Sequence, residues 1–484
     1  MPSTAARGPV ILAALVVFGV LALAVSFLHG RYAESPSIGA FRAFYCGGQA
    51  VAMGRDPYLV EPLRSCEQSV FSPVAARGVA EPAPLPPFAL APFALLAMLP
   101  FGLALAVYVA ALAAATSTAI WSLQKITGYS ITFLAAALVW SDLYRNVAFG
   151  EIPPLVIGIL CLSAYLLESG KVRAAALVAS AALIEPHVAV ASLAALFVVQ
   201  RRARIPLILA GAGLALVSVV AVGVPVSVEY LARVLPVHAA SEVSANDQYS
   251  LTWLLHQFHV DDGAALALGS LSYVLMTIAG IVLARRLAAH YARPALVVLV
   301  PPVFAMVGGN FIHDIQLPIA LPAAIVLFSV VPARLKPFVL ASTGMLAVSW
   351  LYAGRIPSVL QTVIVGVLVA MAPLVFPSRA RRYRTLAAAC VAYFGVVMLM
   401  GTLPRPAVSR SSAPVFLGPP TEIASERWGR YVRSTSGRPP APRVIAEKIP
   451  FEAALLMLAI LATIAAATRR NEHATTGEGD VTAA

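Results

Sequence analysis

Four polar stretches interrupt an otherwise apolar chain and carry side chains able to move a proton or hold an anion. Residues 140–154 contain Asp142, Arg145, Asn146 and Glu151; residues 308–317, GGNFIHDIQL, contain His313 and Asp314. Residues 37–66 contain Arg42, Tyr45, Cys46, Asp56 and Cys66, and residues 246–258, NDQYSLTWLLHQF, contain Gln248. Glu34, Asp56, Asp142, Glu151 and Asp314 are candidate general bases, able to take a hydroxyl proton; Arg42, Arg145, His313 and Arg355 are candidate partners for phosphate oxygens. Taken singly, each is equally a solvated loop charge. Glu151 and the His313-Asp314 pair stand out because they fall at the ends of apolar runs, where an unpaired charge is costly. Glu185, followed by Pro186 and His187, falls inside an apolar run. There it either lines a cavity or is a neutral carboxyl capping a break.

The elements that must position these residues follow from hydropathy. The chain is 60% apolar and only 12% charged, with a mean hydropathy of +0.84, far from the composition of soluble domains. It reads as an all-α polytopic membrane protein. Apolar runs long enough to span place helices near 9–28, 100–122, 129–147, 152–168, 205–225, 264–284, 295–309, 315–333, 337–353, 357–377, 385–403 and 450–468. The first has the length of a retained span rather than of a cleaved signal. Residues 174–199 are different, because Glu185-Pro186 divides them into two runs, each too short for about 30 Å of hydrocarbon.

Charge decides how that segment is drawn. As a re-entrant hairpin, with both termini cytoplasmic, it places eighteen of the 34 Lys and Arg residues on the cytoplasmic side and leaves only Arg145, Arg233 and Arg355 in short external loops. The remaining basic residues lie in two long external segments, which the positive-inside rule exempts. A single kinked span reverses every later loop and breaks the rule. Most of the +12 net charge is therefore topological, and nucleic acid is not an expected partner. Acidic residues concentrate outside.

The expected organisation is one integral membrane domain over 1–470. It has a long external loop at 29–99, the hairpin at 174–199, a second external loop at 404–449 and a disordered cytoplasmic tail at 471–484. Within the first loop, Phe41, Phe44, Tyr45, Gly48, Val51 and Ala52 recur at helical spacing, as in a helix lying at a membrane interface. The 404–449 loop, with Arg427, Arg430, Arg433 and Arg438, is either a solvated linker, a cap over the external face or a contact with anionic headgroups. Cys161 and Cys390 fall in predicted spans as packing residues. Cys46 and Cys66 lie in the external loop, where a disulfide is expected. His256 and His259 lack the companions of a metal site, and none is proposed.

One further pattern runs through the polar stretches. The interfacial helix, then Gly54-Arg55-Asp56-Pro57-Tyr58, then the Leu-Pro-Pro-Phe of PLPPFALAPFALLAMLP at 84–100, resembles glycosyltransferase family 87. Residues 144–155 are similar to that family's Gly-Gln-x-Asn element, with Glu151 where Gln is usual. Residues 174–186 are similar to an Ala-rich segment ending in Lys-Pro, with Glu185 in place of Lys. Residues 246–258 and 308–317 are similar to an Asn-Gln-Ser-Leu element and a His-bearing break.

The resemblance covers about residues 30–335. It implies a GT-C membrane fold and transfer of a mannose- or pentose-type sugar from a polyprenyl-phosphate donor, a substrate rather than a cofactor, to a glycolipid or glycan acceptor. The expected setting is the external face of the cytoplasmic (inner) membrane, among membrane lipids. For such a transfer, the polar residues at span ends and breaks are the candidates: Glu151, Asp314 and Asp142 for catalysis, and Arg42, Tyr45, Arg145, Asn146, Gln248, His313 and Glu185 for substrate and phosphate binding. The family's acidic residue at the start of the interfacial helix is Ala40 here. That departure leaves room for a relocated base or for a silent relative acting as an assembly partner; Glu185 in a hairpin also suits a transporter or flippase.

Overall fold

A computed structural model describes residues 38–139, 146–147, 149–346, 415–416, 418–435 and 442–476 of the chain. The expected spans at 9–28, 357–377 and 385–403 lie outside these residues, as do Glu34, Asp142, Arg145, Arg355, Cys390 and Arg438. Every named element is a helix. Among the described residues, four helices are long and apolar enough to cross a membrane: Phe101–Thr127, Arg201–Ser241, Asp262–Tyr291 and Lys448–Ala467. The 27 residues of Phe101–Thr127 extend about 40 Å at 1.5 Å per residue, more than the roughly 30 Å a bilayer core requires.

Other expected spans are short helices, the first of them matching the expected 152–168 and the second shorter than the expected 295–309. Pro153–Glu168 has 16 residues and Leu296–Val307 has 12. Pro301 and Pro302 lie inside the latter helix without ending it, whereas the next run, which holds Pro318, begins as the 3₁₀ helix Asp314–Ala320 and becomes α only at Leu321–Val330. These two helices are buried almost throughout. By contrast, Ile205, Leu216 and Val220 of Arg204–Glu229 and Leu271, Val274 and Leu275 of Asp262–Tyr291 face outward, as lipid-facing residues do. The last helix, Pro442–Thr476, continues past the point where a disordered tail was expected; extending an existing helix avoids the cost of nucleation.

The segment around Glu185 is a hairpin. Val172–Ser180 runs into the 3₁₀ turn Ala181–Ile184, the chain leaves helical geometry at Glu185 (φ −121°, ψ 75°), and Pro186–Val199 returns. The turn Arg201–Ala203 that follows packs back on Val172–Ser180, which one continuous kinked rod would not permit.

The helix Gly39–Ala52 lies deeper than an interfacial helix would. Phe41 packs 5.0 Å from the Tyr108 ring and 5.5 Å from Phe101, and Phe44 packs 5.3 Å from Phe93. Ile38 supplies no side-chain cap, a loss of about 1 kcal/mol. Burying each of the two phenylalanines gains about 2–3 kcal/mol, so packing rather than capping sets this helix. Cys46 and Cys66 join it to Val60–Ser69 through a disulfide.

Residues 418–435 are no loose linker. Val60 donates to the Glu422 carbonyl (2.8 Å), Ala424 to the Tyr58 carbonyl (2.8 Å), and Phe416 to the Arg77 carbonyl (2.9 Å). Arg427 is buried and bonds Glu422 Oε2 and the carbonyls of Gly78 and Pro419, each at 2.9 Å. The helix Ala424–Thr435 is thereby strapped across the first loop as a cap.

Candidate active site

These elements enclose a cleft of about 850 Å³. Its walls come from the start of Gly39–Ala52 (Ala40, Phe44), the extended stretch around Glu81, the turn carrying Glu151, the hairpin tip Ile184–His187, the helix Leu235–Ser241, the upper part of Asp262–Tyr291 and the break 310–316. Trp428 of the cap completes the lining. The polar stretches at 37–66, 140–154 and 308–317, the hairpin and the cap segment therefore meet in one place.

The break is built as a short paired segment. Tyr249 N–H donates to the Ile312 carbonyl (2.6 Å), Asp314 N–H to the Asp247 carbonyl (3.1 Å), and Gln248 and His313 lie opposite each other. The pairing sets His313 Nδ1 3.5 Å from Asp247 Oδ2. From the last long helix, Lys448 donates to the carbonyls of Asn246 and Gln248 and lies 4.1 Å from the ring centres of both Tyr249 and Trp253. It thus fixes both sides of Asp247.

Burial pushes the His313 imidazole down, but the Asp247 carboxylate, with Glu242 and Glu151 beyond it, raises it to about 9. Burial alone would raise Asp247; His313 holds it well below the ordinary carboxylate range, although about half of that side chain (49%) is open to the cleft. The hydrogen bonding adds a constraint. Gln248 Nε2 stands 3.2 Å from His313 Nε2, while its Oε1 accepts from Ile312 N–H at 3.1 Å. That contact suits a ring protonated only at Nδ1. The surrounding acids nevertheless favour the second proton on the ring.

At the hairpin tip, Glu185 Oε1 accepts from Gln316 Nε2 (2.7 Å) and lies 3.2 Å from His187 Nε2. Gln316 Oε1 in turn accepts from His313 N–H at 2.8 Å, so the tip and the break are one network. Phe311 sits among three imidazoles, His187, His238 and His313, with ring centres 5.8, 5.1 and 4.8 Å away.

Of the residues expected at the site, Glu151, Glu185, His313 and Asp314 line the cleft. Asp314 is already engaged, its Oδ1 accepting from Ile315 N–H at 2.8 Å. Asn146 and Gln248 are buried just behind the wall, where Asn146 Nδ2 donates to the Ile315 carbonyl at 3.0 Å. Tyr45 is not in the lining; its hydroxyl donates to the Leu99 carbonyl (2.9 Å) and fastens the helix. Arg42 is fully buried behind Glu81, so it cannot meet a phosphate directly. Asp56 closes a turn on Tyr58 N–H (2.9 Å). Asp142 and Arg145 lie outside the described residues.

The spacing of sequence motifs missed Glu81, His187, His238, Asp247 and Trp428, all of which line the cleft. Asp247 was within reach, being the centre of the NDQ triplet. Glu81 had no periodic context. Burial lifts its carboxyl to about 7 against the pull of Arg42. Among the described residues no Lys or Arg lines the cleft, and no three His, Cys, Asp or Glu side chains are placed to hold a metal ion.

Comparison with known proteins agrees with the resemblance drawn from the motifs. The model for Glycosyltransferase family 87 matches residues 85–308, a little under half of the chain, from the Leu-Pro-Pro-Phe element to the edge of the His-bearing break. No curated protein and no solved structure matches.

Proposed function

We propose, from the match of residues 85–308 to glycosyltransferase family 87, that this protein is a membrane glycosyltransferase working in the cleft. On this reading it moves a sugar from a polyprenyl-phosphate donor to a glycolipid or glycan acceptor at the external face. The observation that carries the proposal is the convergence of the motif-bearing segments on one enclosed space beside lipid-facing helices. A donor whose lipid stays in the bilayer must present its phosphate at such a place.

The displacement is single, with inversion. The acceptor oxygen attacks the anomeric carbon, the sugar–phosphate bond breaks, and the polyprenyl phosphate departs with the electron pair. His313 meets the departing phosphate: a phosphate oxygen displaces the Gln248 amide at Nε2, and Asp247, Glu242 and Glu151 stabilise the imidazolium that results. Glu185 and Gln316 hold the hairpin tip against the break, so the two walls keep their spacing. Trp428 closes the cleft from the cap and limits the acceptor.

Purified protein in proteoliposomes, supplied with radiolabelled polyprenyl-phosphate mannose or pentose and an envelope lipid extract, is expected to release polyprenyl phosphate and form a labelled product. Ala239→Trp, which fills the cleft at a half-buried lining position, is expected to stop both. If no such donor is consumed by the wild type, the reading fails.

A further inference from the structure

The carboxylates around the cleft are unequally occupied. Glu185 is held by Gln316 and His187, Asp247 faces His313, Asp314 accepts a backbone N–H, and Glu242 accepts from the Trp428 indole. Glu81 is different. Its backbone is fixed, because its N–H donates to the buried Glu67 Oε2 at 3.1 Å and Pro82 follows. Its carboxylate lies against the first turn of Gly39–Ala52, where a Cβ added to Gly39 would stand 2.6 and 2.7 Å from the two oxygens. Gly39 is thus what makes room for it. The next residue, Ala40, lines the same cleft. Among the described residues, no hydrogen bond reaches the Glu81 carboxylate.

We propose that Glu81 is the catalytic base: it takes the proton of the acceptor hydroxyl as that oxygen bonds to the anomeric carbon and the sugar–phosphate bond breaks. The electron pair leaves with the phosphate, and the proton passes from Glu81 to water in the cleft before the next turnover. This assignment rests on the glycosyltransferase reading above. Three charged groups act around Glu81: Arg42 from the helix beneath, Glu67 from Val60–Ser69 and Glu242 from across the cleft. A carboxyl raised by burial to about 7 has the affinity a general base needs near neutral pH. Ala40 offers no acid at the neighbouring position, so a base entering from the following loop supplies one where the helix does not.

The test is turnover by the full-length protein in proteoliposomes, with the same labelled donor, for wild type, Glu81→Gln, Glu81→Asp and Gly39→Ala. A base removed in this way costs about 10²–10⁴-fold in kcat. Glu81→Gln should fall into that range while still being labelled by a photoreactive polyprenyl phosphate as strongly as wild type. Glu81→Asp should recover part of the rate. The wild-type rate should rise as pH passes through about 7, the break should move in Glu81→Asp, and residual Glu81→Gln activity should lack it. Gly39→Ala, which pushes on the carboxylate, should lower kcat with labelling intact. A Glu81→Gln protein within threefold of wild type overturns the assignment and leaves the glycosyltransferase reading standing. Loss of donor labelling in both Glu81→Gln and Glu81→Asp makes the residue structural and also overturns it. A wild type that consumes no polyprenyl-phosphate sugar overturns both.

Discussion

His313 gathers charge from three carboxylates on two separate segments: Asp247 and Glu242 beyond the helix Leu235–Ser241, and Glu151 from the turn before Pro153–Glu168. Its folded-state pKa, about 9, exceeds the ordinary 6.5. The stability it contributes is therefore complete below pH 6.5 and is lost as pH climbs through about 9. The thermal unfolding midpoint of wild type in detergent should drop over that window by more than that of His313→Gln, and parallel curves would place the charge elsewhere. His313 was legible in the sequence because it breaks an apolar run. Asp247 was not singled out, since it acquires its role only when 246–248 pairs with 312–314, a contact across some 65 residues that no local pattern records. Arg42 and Tyr45 show the converse: polar residues on a helix look like a wet face until the surroundings that bury the one and bond the other to Leu99 are known.

At the scale of elements, the first loop depends on close approach. A Cβ on Gly48 would stand 2.3 Å from the Phe93 carbonyl carbon, so the two helices touch backbone to backbone there. Gly48→Ala should destabilise the protein by about 3 kcal/mol, the upper end for overpacking, because backbone yields less than a side chain. An unchanged unfolding midpoint would show that the helices can part freely. The Cys46–Cys66 bridge closes a loop of twenty residues, worth about 3 kcal/mol in the chain-entropy model. The double Cys→Ala variant should lose a comparable amount of stability, measured by denaturation of the oxidised wild type and variant side by side. The cysteine spacing invited that pairing, whereas nothing around Gly48 announced a partner at 93. Likewise Gly150, at φ 73°, brings its turn to within contact of Phe41 and sets the position of Glu151.

At the scale of the whole molecule, hydropathy was enough to reveal an all-helical protein with membrane-length apolar helices, because burial in lipid demands them, while the break at Glu185-Pro186 was drawn as a hairpin from the distribution of Lys and Arg. Composition alone also makes the 315–333 run continuous, whereas its first part, which holds Pro318, is a 3₁₀ turn and only the rest is α-helix. The cap was open in the sequence as linker, cap or lipid contact, because its Pro- and Arg-rich composition acquires shape only against Tyr58, Arg77 and Gly78. Arg427→Met would leave Glu422, now bonded by both Arg427 and Arg430, with one partner fewer in a buried setting, a change worth about 3–5 kcal/mol. Limited proteolysis should then cut within 415–435 much faster than in wild type, and equal rates would mean that the cap docks without that pair. The most direct test of the cleft as the place of reaction is mapping where the donor phosphate sits, using a photoreactive polyprenyl phosphate and mass spectrometry of the purified protein in proteoliposomes. Crosslinks are expected on 310–316 and on the hairpin tip 184–187, and are expected to disappear in Ala239→Trp; labelling confined to the lipid-facing helix Arg204–Glu229, unaffected by that substitution, would contradict it.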